Sequence, residues 1–445
     1  MKNIISKIAN HKHARVGVAA LLIGSMTTLS SCTKEYLNPS SASETQVVGD
    51  INGLIALCNG LQFKFTVTRV SPGYAATSAN GLTTGELTIL NAGNADEDFL
   101  RQGANNVQGN NSLVNNIWTQ CNLTKSNADI ILKNAEGVKD AGTKAGLVAY
   151  ASIFRAMAIA TMAQYFQQVT VQVGANAPVV PREDAIKEAI KTLESAAQTL
   201  ATTPPSAAFT GRIVAGIDLT NTIQALIARY SLIVGDNDKA IAAADRVSLT
   251  VRSFYAFDDV ARNAMFESVF SNRNVSEPAL NFGLPAALTA AATDRRRAFY
   301  YNPAPSATIN LGRAGFYTAN SSAVPVYLPG EMLLIKAEAQ ARKNNLAAAV
   351  TELNRVLTKT TDAWGIGASL PAYAGANTQA DILTEIYRNR CIELFMSGLK
   401  LEDSRRFGRP APGTPGAERT RNFYPYPLTE RDNNPVVKAL ADPTI

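Results

Sequence analysis

The chain has 445 residues, 46% hydrophobic and 18% charged, with 42 Lys and Arg against 36 Asp and Glu for a formal net charge of +6. That length can bury a large core, and the abundance of alanine in periodic stretches points to a mainly helical globular protein. The charge excess is local, because Lys2, Lys7, Lys12 and Arg15 all precede residue 32 and no acid does; the remainder is close to neutral and has no basic footprint for nucleic acid.

The only histidines, His11 and His13, lie in the same leader. The rest of the chain therefore lacks the side chains for Ser-His-Asp or Cys-His catalysis and for a histidine-bound metal. Cys58, Cys121 and Cys391 are widely spaced, and no pair has metal-ligand spacing.

In chain order, residues 1–15 carry the positive charges and 16–29 form an apolar run too short to span a bilayer comfortably, which reads as a signal peptide. Leu29-Ser30-Ser31-Cys32 resembles a bacterial lipobox, so the expected organisation is a leader over 1–31, a lipidated Cys32 and a polar tether over 32–49. Lipidation anchors a protein to a membrane without spanning it.

From about residue 50 to 66, Ile51, Leu54, Ile55, Cys58 and Leu61 recur at helical spacing. Residues 69–112 are rich in Gly, Asn, Ser and Thr and read as a first irregular insert. Its Asp96-Glu97-Asp98 run lacks the glycine and trailing glutamate of an EF-hand, so it reads as a solvated turn or helix start, and calcium there is without support. Helices are predicted over 113–135 and 143–168, an extended segment over 169–181, and a further helix over 183–201. The stretch 220–247 reads as a helix, a Gly235-Asp236 turn and a second helix.

Residues 331–357 repeat that last plan at an offset of 109: Ala228 matches Ala337, Ala240 matches Ala349, and Arg246-Val247 match Arg355-Val356. Small residues at a helix crossing with a polar turn suit a tetratricopeptide-like repeat. Irregular inserts are expected at about 250–325 and 360–378. The final amphipathic helix, 381–397, places Leu383, Ile386, Tyr387 and Cys391 on one side and Glu385, Arg388 and Asn389 on the other, and Gly398 is placed to end it. Arg390, Glu402 and Asp403 are expected to form a partly buried charge network. The fold class is mainly α: about four helix pairs in one body over 50–445, with long loop inserts.

Several motifs then fall in a consistent order: Tyr150, Phe154, Arg155 and Ala156 with Tyr165 and Phe166; Ala337-Glu338-Ala339; "RNRCIELF", a glycine and "LKLEDSRRFG" over 388–408; and Phe423-Tyr424-Pro425-Tyr426-Pro427 with Asn434-Pro435. This series resembles the SusD/RagB family, surface nutrient-binding lipoproteins of Bacteroidetes. The resemblance implies a SusD-like fold and a binder rather than an enzyme. It also implies a cell-surface, lipid-anchored location on the outer membrane, a SusC-like TonB-dependent transporter as partner, no cofactor, and an oligosaccharide or peptide as ligand.

Sugar capture needs flat aromatic faces in loops. The candidates are Tyr74 in the first insert, Tyr300, Tyr301 and Tyr317 in the second, and Trp364 and Tyr373 in the third. Trp118 shares an apolar face with Ile117 and Cys121 and reads as core, and Arg295 to Arg297 read as a solvated basic run. With 7% aromatic residues and two tryptophans, peptide capture stays open beside glycan capture. A helical-repeat scaffold for a protein partner is the other class. A two-carboxylate glycosidase is disfavoured because nothing singles out a pair.

Overall fold

Each scaffold helix forms where an apolar stripe follows a capping side chain. In a computed structural model describing residues 47–271, 273–301 and 315–445, α1 (Ile51–Thr66) opens on Asp50, whose carboxylate accepts the Gly53 N–H, and buries Leu54, Ile55, Cys58, Leu61 and Phe65. The leader 1–31, Cys32 with the tether to residue 46, and Asn302-Pro303 lie outside the described residues. Residues Val48–Ile445 cluster as one unit.

The stretch 69–112, expected to be irregular, contains regular structure. Ser71 caps α2 (Pro72–Thr84) by accepting the Tyr74 N–H, with Pro72 in the first turn where its missing N–H costs nothing. The strand β1 (Leu87–Ile89) and α3 (Ala95–Gln102) follow. The Asp96–Asp98 run is the first turn of α3, where acids suit the helix dipole. Two of its members are buried, Glu97 against Arg69 at 2.7 Å and Asp98 against Arg101 at 2.7 Å. Composition hid α2, because its stripe is built from Ala, Ser, Thr and Gly in place of large apolar residues.

Next come α4 (Ser112–Ala135), α5 (Ala141–Tyr165), α6 (Arg182–Thr202), α7 (Leu219–Ile233) and α8 (Asn237–Ala244). After the second insert follow α9 (Pro329–Arg342), α10 (Leu346–Leu357), α11 (Gln379–Glu393) and α12 (Lys400–Arg406). Packing is sequential: α1 on α4, α4 on α5, α5 on α6, α6 on α7, α7 on α8, α8 on α9, and α9 on both α10 and α11. The expected helix pairs are therefore real neighbours. At the crossings of the two repeated pairs, Ala228, Ala240, Ala337 and Ala349 are all fully buried, since a methyl side chain lets two helix axes approach.

The helix α5 is apolar on every face and long enough to cross a membrane, but most of it is buried as the central core helix. Its Tyr165 stacks on Tyr424 at 5.5 Å and the following Phe166 on Tyr426 at 6.2 Å, so the tail motif docks on the end of α5. Trp118 meets Phe166 edge-on at 5.0 Å in the same core.

Among the described residues, sheet structure is limited to three two-stranded antiparallel ribbons. They pair β1 with β5 (Ser276–Pro278), β2 (Gln168–Thr170) with β3 (Val179–Pro181), and β4 (Phe254–Tyr255) with β6 (Val324–Pro325). No regular element falls between α10 and α11.

Helix α11 ends at Glu393, earlier than expected, and the turn uses two left-handed residues, Met396 and Gly398, before α12. Asn389, expected on the solvent side, is 1% exposed, because α11 is covered on both flanks. It accepts from Arg296 at 2.8 Å. Arg296 itself, the middle of the supposed solvated run, is fully buried between Asp294 at 2.7 Å and Glu393 at 3.1 Å. A Cβ on Gly330 would collide with the Glu393 carboxylate, so glycine is what lets α9 pass beside it.

Candidate functional site

The turn from Leu394 to Leu399 forms one wall of a cleft with about 160 Å³ of free space. Its shape is imposed by hydroxyls: Tyr317 donates to the Met396 carbonyl at 2.9 Å, and Tyr165 to the Gly398 carbonyl at 3.1 Å and the Ala76 carbonyl at 2.9 Å. Opposite stand the first turn of α2 with Tyr74, the last turns of α5 with Met157, Thr161 and Gln164, and the β4–β6 ribbon with Tyr255.

At the base, Arg229 from α7 forks onto Glu331 of α9, Nε to Oε1 at 2.6 Å and Nη2 to Oε2 at 2.7 Å, and also donates to the Val326 carbonyl at 2.8 Å. Burial alone would lower the Arg229 pKa, but the adjoining carboxylate outweighs it and holds the guanidinium charged. Burial pushes the hydroxyls of Tyr165, Tyr230, Tyr255 and Tyr317 well above their usual range, so these four phenols stay protonated at any physiological pH.

Behind the Leu394–Leu399 wall, Glu86 is 1% exposed; it accepts the Met396 N–H at 3.2 Å and the Asn80 amide at 2.7 Å. Burial raises its pKa to about 7 although Lys400 opposes the shift.

A second feature of the same region is a buried ion network that ties α9, α11 and α12 together. Arg390 forks onto Asp403 at 2.8 and 3.0 Å, and Arg406 forks onto Glu338 at 2.7 and 2.9 Å. Arg182 reaches Glu402 at 2.6 Å. Of the three residues expected in one network, Arg390 and Asp403 pair directly, whereas Glu402 pairs with Arg182 and Arg405 instead. Burial would raise Glu338, but Arg406, Arg390 and Arg342 together bring it down to about 2. Among the described residues, no group of three or more His, Cys, Asp or Glu is arranged to hold a metal ion.

The model of the SusD family matches residues 315–439, which include this turn, the ion network and the tail motif. Over that stretch, under a third of the chain, the sequence is similar to the SusD family. No match is found among curated proteins. Among solved structures, a SusD superfamily protein from Bacteroides fragilis superposes with a TM-score of 0.68 at 16% identity, covering 86% of this chain and 97% of its own. A protein described as a SusD-like carbohydrate binding protein from Bacteroides vulgatus gives 0.65 at 16% identity, covering 85% of each chain. Another so described, from Bacteroides fragilis, gives 0.63 at 14% identity, covering 88% of this chain and all of its own. At these identities the likeness is one of fold.

The six aromatic candidates do not converge. Tyr74 and Tyr317 line the cleft. Tyr300 and Tyr301 are buried behind it, one donating to the Glu393 carbonyl at 2.8 Å and the other to the Ala279 carbonyl at 2.7 Å, with both rings against Phe282 and Phe395. These two present no free face and anchor their own loop. Trp364 is half-buried, with the Arg252 guanidinium 4.0 Å from its ring centre and Phe316 edge-on at 5.4 Å. Tyr373 packs with the separate α9–α11 cluster and donates to the Ala376 carbonyl at 2.9 Å.

Sequence reasoning missed Tyr230, Tyr255 and Tyr327 on the cleft wall. Two of them sit in the short β4–β6 ribbon and its continuation, and no local pattern distinguishes a cleft aromatic from a packing one.

Proposed function

We propose that this chain is a non-catalytic binding protein that captures a nutrient, an oligosaccharide in the first reading, at the cell surface and passes it to a TonB-dependent outer-membrane transporter. The observation that carries the reading is the aromatic-lined cleft set in a SusD-type scaffold, with its polar groups engaged in holding the walls. Two solved structures of the same fold are described as carbohydrate binding proteins. Tyr74 and Tyr317 are the proposed ligand contacts. The lipobox-like segment ending in Cys32 supports attachment to the outer membrane, with the helical body outside.

Peptide capture is the second reading, favoured by the apolar character of the cleft interior. Calorimetric titration of the chain from Thr33 to Ile445 with neutral glycans, acidic glycans and mixed oligopeptides tests both. Saturable binding to any one of these is the expected result, and silence towards all of them sinks the capture reading. For the anchor, Cys32→Ser is expected to release the protein from the outer-membrane fraction; retention there would refute lipid attachment.

A further inference from the structure

The cleft interior is dry in chemical character. Phe65, Met157, Tyr230, Met265 and Phe395 are all buried on its wall. Most of the polar groups beside them already have partners. Thr66 donates to the Gln62 carbonyl at 2.7 Å, Tyr327 to the Val251 carbonyl at 3.3 Å, and Arg229, Tyr165 and Tyr317 are engaged as described above. Asn263 uses both ends, Nδ2 to the Ser322 carbonyl at 3.0 Å and Oδ1 from the Phe266 N–H at 3.1 Å.

A pyranose ring carries several hydroxyls, and each would give up water here for a wall with little left to offer. Two groups remain open, the Tyr230 hydroxyl, with no hydrogen-bond partner among the described residues, and the Gln164 carboxamide oxygen. Gln164 is 7% exposed, its amide nitrogen donates to the Ala160 carbonyl, and its Oε1 has no partner among the described residues. The mouth differs from the interior: Thr77 and Thr161 are half-buried and Ser397 is exposed, so hydrogen-bonding groups ring the opening.

The free space sets the size of what enters. A dry cavity of about 150 Å³ holds one benzene ring, and this cleft has about 160 Å³. We infer that the cleft receives a single tyrosine-like side chain presented by a peptide: one benzene-sized ring in the dry interior, its one donor on Gln164 Oε1, and the peptide backbone at the Thr77, Thr161 and Ser397 rim. The inference rests on the capture reading and narrows its ligand. Within that reading it favours a peptide over an oligosaccharide in this cleft.

The test uses the chain from Thr33 to Ile445, which contains the whole unit Val48–Ile445. Blocked tetrapeptides Ala-Ala-Tyr-Ala, Ala-Ala-Phe-Ala and tetra-alanine, together with glucose and maltotriose, are titrated calorimetrically. The tyrosyl peptide is expected to bind saturably, the phenylalanyl peptide about tenfold more weakly for want of one hydrogen bond, and tetra-alanine not measurably.

Thr161→Trp and Ser397→Trp each fill the mouth from opposite sides and are expected to abolish tyrosyl binding. Tyr373→Ala, in the separate α9–α11 cluster, leaves it intact. Having two rim variants covers the case where one fails to fold, which thermal unfolding reveals. Competition by glucose or maltotriose for the tyrosyl site, equal binding of tetra-alanine, or tyrosyl binding that survives both rim variants overturns the inference. Glycan binding without tyrosyl binding also overturns it and leaves the capture reading standing, whereas no binding by any probe sinks both.

Discussion

The helix pairs α7–α8 and α9–α10 repeat the same crossing, with alanines at 228, 240, 337 and 349 all buried, but they carry opposite charges at one matched position. At the offset of 109 that aligns the alanines, Arg229 of the first pair corresponds to Glu338 of the second. Arg229 reaches forward to Glu331 on α9. Glu338 reaches past its own pair to Arg406 and Arg390 on the closing helices. The small residues decide how each pair packs within itself, and the buried charge decides which neighbour it docks on. An apolar contact alone would leave that choice weakly specified, and a buried ion whose partner is missing penalises the wrong one.

The largest effect is expected at Glu338. Replacing it in Glu338→Gln leaves Arg406, Arg342 and Arg390 facing an uncharged amide, and a loss of about 3–5 kcal/mol should follow, read as a fall in the urea midpoint at unchanged slope. The same carboxylate sets an acid limit. Its folded pKa, about 2 against an ordinary carboxylate value of 4.5, is depressed, so its contribution is complete above the unfolded value and is lost as pH falls through that window. That contribution is on the order of 3 kcal/mol, and stability profiles of Glu338→Gln should be flatter between those two pH values. A variant as acid-sensitive as the parent would show that other carboxylates carry the effect.

A smaller effect is expected in the first pair, where the charge has one carboxylate partner instead of a network. Arg229→Met strands Glu331, which is 1% exposed, and should cost about 3 kcal/mol, while adding Glu331→Leu should restore most of that loss because both charges are then gone. If the double variant stays as unstable as the single one, the pair is more than a docking device, and ligand titration of the double variant would show whether the cleft needs it. The smallest effect belongs to Lys343 and Asp238, an exposed ion pair joining α8 to α9; Lys343→Ala should shift stability by no more than about 0.5 kcal/mol.

The burial of Glu86 gives the cleft wall its own pH dependence with the opposite sign. A carboxyl whose folded pKa is raised to about 7 favours the folded state at low pH, and that benefit declines as pH rises from the unfolded value through the folded one. Glu86→Gln should remove this decline, measurable as a melting temperature that changes less between pH 5 and pH 7 (roughly the window between the two values).

Much of the scaffold was legible along the chain. Periodicity located α1, α4 to α11 and the repeat, because these helices bury stripes of large apolar side chains or alanines at a constant interval. The tail motif and the Arg390 network were legible as motifs, and their docking surfaces followed from apolar and charge chemistry. The short α2 was not, since its Ala, Ser, Thr and Gly residues become a core stripe only when α4 and the 394–400 turn close over them. The end of α11 was misplaced because Met396 takes a left-handed conformation that tertiary bonds from Glu86 and Tyr317 enforce.

For the site the division is sharper. Sequence alone singled out Tyr74, Tyr300, Tyr301, Tyr317, Trp364 and Tyr373 in the three stretches read as inserts, the first of which folds as helix around Tyr74, and showed that histidine chemistry is absent from the body of the chain. Only the tertiary structure decided that two of these rings line a cleft, two are sealed behind it, and two stand apart. An aromatic ring has the same local signature whether it packs or binds. What separates the two roles is the set of surfaces brought against it by segments hundreds of residues away, and that set is a property of the closed fold.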